Sequence, residues 1–154
     1  MNSIWNNFPL IAALLSIILA QFVKVPIHFI SHRSWNIKLA FSTGGMPSSH
    51  SAAVCSLSTA IALKDGLSSS SFAIAVILSA ITMFDATGIR RHAGIHAKHI
   101  NRLLKEGKPI KLDKSELDKP VETLKELLGH EPIEVFMGAV FGIVISYILY
   151  FSVY

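Results

Sequence analysis

Polar side chains that could handle a phosphate group occur in four short clusters along this 154-residue sequence: Lys24 with Arg33, residues 44–50, residues 85–91 and residues 130–134. The second cluster, Gly-Gly-Met-Pro-Ser-Ser-His, is typical of a helix start. Such a start offers backbone N–H groups, the Ser48 and Ser49 hydroxyls and the positive end of a helix dipole, all of which favour an anion. His50 falls in the first turn, within reach of that anion. An ordinary helix cap explains the same residues, so this cluster alone assigns no function.

The other clusters supply cations and a second histidine. Lys24 adds a point charge, and Arg90 or Arg91 adds a forked donor that matches phosphate oxygens. Glu134 follows His130 by one helical turn, so its carboxylate could hold the imidazole in a nucleophilic tautomer. These are the residue types of metal-free phosphoryl transfer, and no acidic cluster suited to a metal accompanies them. Taken singly, each also has a plainer role, as an interfacial anchor, a topology signal or, for the supporting residue Asp85, a turn cap.

Long apolar blocks must position these clusters. Apolar residues make up 51% of the chain, charged residues only 16%, and the mean hydropathy is +0.51. A soluble domain of this size seldom has that composition, and one cysteine excludes an internal disulfide. We therefore predict an all-α, polytopic membrane helix bundle in a single domain, 1–154. It has about four transmembrane helices and a cytoplasmic amphipathic helix, with spans at approximately 8–28, 47–64, 70–86 and 133–153.

The basic residues predict the orientation of this bundle. Four spans place both termini on one side with Lys64, while the other 13 of the 14 Lys and Arg residues fall on the opposite side. By the positive-inside rule, that side and the central loop at 88–130 are cytoplasmic in a multi-pass protein of the cell membrane. Within the loop, 115–128 has helical periodicity, either packed on the domain or lying in the membrane interface. Because the basic residues lie beside apolar spans, anionic lipid or phosphate is the expected partner, and nucleic acid is not.

The order and types of these residues resemble the signature of a known family. Lys24, the stretch 47–50 (Pro-Ser-Ser-His), Arg90 or Arg91, and His130-x-x-x-Glu134 resemble the three-part signature of type-2 phosphatidic acid phosphatases and vanadium haloperoxidases. Nearly the full chain is similar to the small divergent branch called acid phosphatase/vanadium-dependent haloperoxidase-related. The resemblance implies a lipid-phosphate phosphatase without a cofactor.

The match also has departures. Ser49 stands where the signature has Gly, and Glu134 stands where it has Asp. The signature places its Arg six residues before the nucleophilic histidine, whereas 39 positions separate Arg91 from His130. His96 has the shorter spacing from Arg90, but Ile100 follows it where an acid is required. The signature's glycines follow His130, so we favour His130 over His96.

Carried onto these positions, the resemblance implies a mechanism. His130 would attack the phosphorus and form a phosphohistidine, oriented by Glu134. His50 would protonate the leaving alcohol and then activate water. The oxyanions would be held by Lys24, Arg33, Arg90 or Arg91, and the backbone at Ser48 and Ser49. The expected substrate is a phospholipid phosphate such as phosphatidylglycerophosphate or phosphatidate, in a protein that can form homo-oligomers. A non-catalytic protein that binds or scaffolds a phospholipid in the same pocket is the alternative.

Overall fold

The computed structural model describes residues 6–35, 37, 44–106, 123–126 and 128–153, and its regular structure is entirely helical over that part of the chain. The helices are α1 (Phe8–His32), α2 (Ser49–Asp65), α3 (Ser70–Thr87), α4 (Ile89–Lys105) and α5 (Pro132–Val153). Within these described ranges, three stretches are long and apolar enough to cross a membrane: Phe8–Ile30, Ser70–Lys105 and Pro132–Ser152. The predicted class, an all-α polytopic membrane protein, is confirmed.

Helix α2 is the central element, because α1, α3 and α5 all pack against it. It has only 17 residues and is rich in small and hydroxylated side chains. Ser56 shares a hydrogen bond of 2.7 Å with Ser146 of α5, and Ser58 shares one of 2.8 Å with Ser79 of α3. Such contacts are a usual source of helix association in lipid, where apolar surface drives little. The low hydrophobicity of α2 therefore follows from its protein-covered position.

Two glycines let α5 approach α2 at backbone distance. A Cβ atom at Gly142 would lie 2.9 Å from the Cα atom of Ala52, and one at Gly138 would lie 3.0 Å from the Cβ atom of Ser51. These glycines are the ones that follow His130 in the sequence. Their close packing brings the start of α5 against the start of α2, where His130 and His50 lie.

Helix α4 departs from the prediction, which placed the amphipathic helix at 115–128. The helix instead follows α3 directly, after the non-helical residue Gly88. Residues 115–122 lie outside the described part of the chain, and 123–126 are not helical. The reason is that Asn101 of α4 donates to the carbonyl of Leu124 at 2.8 Å and accepts from its N–H at 2.9 Å. The backbone of Leu124 therefore makes tertiary hydrogen bonds in place of helical ones. The prediction of a helix over 123–126 was therefore wrong.

Candidate functional site

Backbone contacts hold His130 between α3 and α5. Its N–H donates to the carbonyl of Ala86 at 3.0 Å, near the end of α3. The preceding residue, Gly129, has a φ of +83°, and a Cβ atom there would collide with the backbone of Arg91. Only glycine fits such a position without strain. The turn thus directs the His130 side chain towards the interior of the protein, where His130 is 5% exposed.

The rings of His130 and His50 lie close together at the N-terminal ends of α5 and α2. Their centroids are 6.2 Å apart and their planes are inclined by 76°. Both line a cavity of about 160 Å³, together with Thr82, Asp85, Ala86, Arg90, Leu128 and Gly129. The Nε atom of Arg90 donates to the Asp85 carboxylate at 2.5 Å, which holds the guanidinium beside this cavity.

The imidazole of His130 is neutral at physiological pH. Burial, followed by the charges of Lys24, His50 and Arg90, lowers the pKa of His130 to about 4. Its Nε2 atom is buried without a hydrogen-bond partner in the described part of the chain. Buried polar atoms in native proteins are rarely unsatisfied, and one at a functional site is a candidate for chemistry. A neutral imidazole with a free ring nitrogen is suited to nucleophilic attack.

Among the described residues, Lys24 is the largest of the fully buried side chains, at 2% exposure. A Cβ atom at Gly45 would lie 3.9 Å from its Cδ atom, so the aliphatic stem passes beneath the loop that leads into α2. Its charge acts on Glu134 and on both His50 and His130. A buried ammonium of this kind needs a compensating charge, which Glu134 provides.

Glu134 connects that loop to α5. Its carboxylate accepts from the backbone N–H of Glu131 at 3.1 Å and from that of Gly45. Its carbonyl accepts from the Ser48 N–H at 3.0 Å. Among the described residues, no hydrogen bond joins Glu134 to the ring of His130. The expected orienting contact is absent because backbone donors and the charge of Lys24 occupy the carboxylate.

The two serines before His50 build the helix start. Ser48 caps α2, with its hydroxyl accepting from the Ser51 N–H at 3.4 Å. Ser48 and Ser49 are both buried. Neither of them lines the two cavities that contain His130. Their effect on the site is therefore to fix the first turn of α2 and the position of His50.

A second cavity of about 300 Å³ also borders His130. Arg91 and Lys98 contribute cations to its lining, and Glu126, Glu131 and Glu134 contribute carboxylates. His130 and Gly129 are common to both cavities. Arg90 and Arg91 thus serve different cavities. Over the described residues, no group of three or more His, Cys, Asp or Glu side chains is placed to hold a metal ion.

Comparison with known proteins assigns the family. Residues 5–145 match the profile described as the divergent PAP2 family. The chain belongs to the divergent PAP2 family. It is 52% identical over 149 residues to the uncharacterized membrane protein YuiD of Bacillus subtilis (strain 168), with 94% of each chain covered. No solved structure matches it. The resemblance to type-2 phosphatidic acid phosphatases is thereby confirmed, and the protein is a membrane protein.

Two of the predicted residues lie away from the site of this divergent PAP2 protein. Arg33 is exposed at the C-terminal cap of α1. Nine residues of helix separate it from Lys24, which is about 13 Å along the axis. His96 is exposed on α4, where its ring lies 6.5 Å from that of His92. Neither Arg33 nor His96 lines a cavity that contains His130.

Sequence reasoning also missed residues that shape the divergent PAP2 site. Thr82 lines the cavity from the last turns of α3, and nothing in its surroundings marks it in the sequence. Gly129 does carry a signal, since a glycine directly before a candidate nucleophile indicates a special backbone conformation. Asn101 binds Leu124 and Glu126 in the segment before Gly129. Its sequence position, inside a helix, does not predict these tertiary contacts.

Proposed function

We propose that this protein is an integral membrane lipid-phosphate phosphatase that uses a phosphohistidine intermediate and no metal. The observation that carries the proposal is the pairing of His130 with His50. One ring is neutral and has an unpartnered nitrogen, and the other lies 6.2 Å away on the same cavity. Arg90 lines that cavity and supplies the cation that a transferring phosphoryl group requires.

In the first step, the lone pair of a His130 ring nitrogen attacks the phosphorus of a phosphomonoester. The bond from phosphorus to the alcohol oxygen breaks, and protonated His50 gives its proton to that oxygen. In the second step, His50 takes a proton from water, and the resulting hydroxide attacks the phosphohistidine. The phosphorus–nitrogen bond breaks and releases inorganic phosphate, which leaves His130 neutral and His50 protonated again. Arg90 stabilises the charge on the phosphoryl oxygens in both steps.

The proposed substrate is phosphatidylglycerophosphate or phosphatidate in the cytoplasmic leaflet of the cell membrane. The apolar stretches Phe8–Ile30, Ser70–Lys105 and Pro132–Ser152 support a multi-pass arrangement. We propose α2, which packs among them, as the fourth crossing. The concentration of basic residues on the side of His50 and His130 supports a cytoplasmic site. Substrates made on the cytoplasmic side are therefore favoured over those recycled from outside.

The test is phosphate release from these two lipids by purified protein in detergent with excess chelator. His130→Ala and His50→Ala are expected to reduce release by at least about a hundredfold. His99→Ala, an exposed histidine on α4, is the matched control and should keep full activity. His96→Ala should also keep full activity. Full activity in the His130 and His50 variants would overturn the mechanism. Loss of activity in His96→Ala alone would identify His96, on α4, as the nucleophile.

One observation favours a second candidate, a non-catalytic phospholipid-binding protein. The Glu134 carboxylate is engaged by backbone donors, so His130 lacks the acidic partner of the family signature. This candidate predicts bound phospholipid without turnover. Vanadate separates the two, because a trigonal-bipyramidal adduct on His130 is expected of the enzyme alone.

A further inference from the structure

The region after α3 cannot all lie in the hydrocarbon of a membrane. The continuous stretch Ser70–Lys105 has 36 residues, which corresponds to about 54 Å of helix against a hydrocarbon core of about 30 Å. Helix α3 alone, with 18 residues, covers about 27 Å. The backbone of Gly88, with a φ of −98° and a ψ of −97°, interrupts the helix at that point. Helix α4 therefore begins at the membrane boundary.

The composition of α4 differs sharply from that of α3. Its 17 residues include no Asp or Glu, five Lys or Arg residues and three histidines. With about 3.6 residues per turn, these fall on distinct sides of the helix. Gly94, Ala97 and Asn101 form the buried side, where Gly94 approaches the backbone of Leu128 and Asn101 binds that of Leu124.

The exposed surface of α4 divides into an apolar flank and a basic flank. The apolar flank contains Ile89, Ile100 and Leu103, all at least 40% exposed. The exposed His96 falls between Leu103 and Ile89 on this flank. The basic flank lies on the opposite side of the helix and contains Arg91, Lys98, Arg102 and Lys105. This arrangement is typical of helices that lie in a membrane interface with the apolar face in the acyl boundary.

The apolar flank continues the lipid-facing surface of α3. Phe84 and Ile81, on the last turns of α3, are 75% and 62% exposed, and Ile89 extends this surface across the break at 70%. A contiguous exposed apolar surface of this kind marks an interaction site. Because its α3 part belongs to a membrane-crossing stretch, the bilayer is the occupant that fits the α4 part as well.

We propose that α4 is an interfacial helix that docks on an anionic membrane surface. Its apolar flank enters the acyl boundary, and its basic flank contacts the negatively charged headgroups. The packed side of α4 meanwhile contacts Leu124, Glu126 and Leu128, and so holds the described residues before His130 at the level of the headgroups. The docking requires no catalytic activity and stands whether or not phosphate is released.

Spin labels at single cysteines test this placement, in full-length protein whose only native cysteine is changed by Cys55→Ala. The labelled variants are Ile100→Cys and Leu103→Cys on the apolar flank and Arg102→Cys on the basic flank. Ile77→Cys on the exposed face of α3 and Leu67→Cys in the α2–α3 turn are the lipid and water controls. Collision with oxygen reports lipid, and collision with a water-soluble nickel chelate reports solvent.

In vesicles of equimolar phosphatidylcholine and phosphatidylglycerol, the oxygen-to-nickel ratio at 100 and 103 should approach that at 77. The ratio at 102 should be several-fold lower. In phosphatidylcholine alone, the ratios at 100 and 103 should fall, because the basic flank loses its attraction. Equal nickel access at 100 and 102 in both membranes would overturn the proposal. Low collision with both reagents at 100 would overturn it too, since it would mean that protein covers this flank.

Discussion

The rings of His50 and His130 lie 6.2 Å apart at an angle of 76°, although 80 positions separate them in the sequence. Two contacts produce this relationship. Glycines on α5 bring it to backbone distance from α2, and the Ser48 N–H donates to the Glu134 carbonyl. Both rings line the same cavity of about 160 Å³.

His50→Ala should separate the two chemical steps when the leaving group is good. An activated aryl phosphate needs no proton on its departing oxygen, so the variant should still form phosphohistidine. Hydrolysis of that intermediate needs His50 as a base and should become slow. Stopped-flow absorbance should therefore show a burst of one aryl alcohol per protein in the variant. A variant that gives neither burst nor turnover would show that His50 has another role.

The buried, neutral state of His130 should make the protein less stable in acid. The unfolded chain takes up a proton on His130 near pH 6.5, and the folded protein does so only near pH 4. Between these values the unfolded state binds more protons, so the free energy of unfolding falls as the pH is lowered. The contribution of His130 is at most about 3 kcal/mol, fully lost below pH 4.

Thermal unfolding in detergent from pH 7 to pH 4 measures this effect. Wild-type protein should lose stability over the window more steeply than His130→Gln, in which the titrating group is absent and the other histidines are unchanged. Identical pH profiles for the two proteins would mean that the imidazole of His130 titrates as it does in water.

Gly142→Ala should destabilise the bundle, because its Cβ atom would lie 2.9 Å from the Cα atom of Ala52. The overpacking should cost about 1–3 kcal/mol. Val144→Ala, on the exposed side of α5, is the matched control and should change stability little. Thermal unfolding followed by size-exclusion chromatography measures both. An equal response from the two variants would contradict close α2–α5 packing.

Asn101→Ala should loosen the segment that leads to His130. The substitution removes the bonds to the Leu124 backbone and to the Glu126 carboxylate. Hydrogen–deuterium exchange of the peptide covering 123–130 should rise at least several-fold. Arg102→Ala is the control, because it breaks an exposed ion pair with Glu106 that contributes little. Unchanged exchange in Asn101→Ala would show that other contacts hold the segment.

The apolar helices α1, α2, α3 and α5 and the pair of histidines could be predicted from the sequence for a physical reason. Apolar blocks of span length have few alternative structures, and His50 opens one block as His130 precedes another. Sequence reasoning failed where tertiary contacts decide the outcome. The helical periodicity of 123–126 is overridden by Asn101, and the role expected for Glu134 is displaced by the backbone donors of Gly45 and Glu131.

The positions of the arginines relative to the site also depend on tertiary structure that the sequence does not show. Arg90 and Arg91 are adjacent, and nothing local distinguishes them, yet helical rotation sends them to different cavities. Arg33 was a weak match to the family signature, because it lies nine residues after Lys24 and the signature has seven. The continuation of α1 as one helix to His32 carries Arg33 beyond the site.

The central claim is that His130 carries the phosphoryl group, and trapping that intermediate tests it most directly. Protein mixed with phosphorus-32-labelled phosphatidate or phosphatidylglycerophosphate, in excess chelator, is quenched in alkali, where phosphohistidine survives. Peptide mapping is expected to place the label on His130, with none in His130→Ala and wild-type labelling in His99→Ala. Label on His96, or labelling that persists in His130→Ala, would contradict the account.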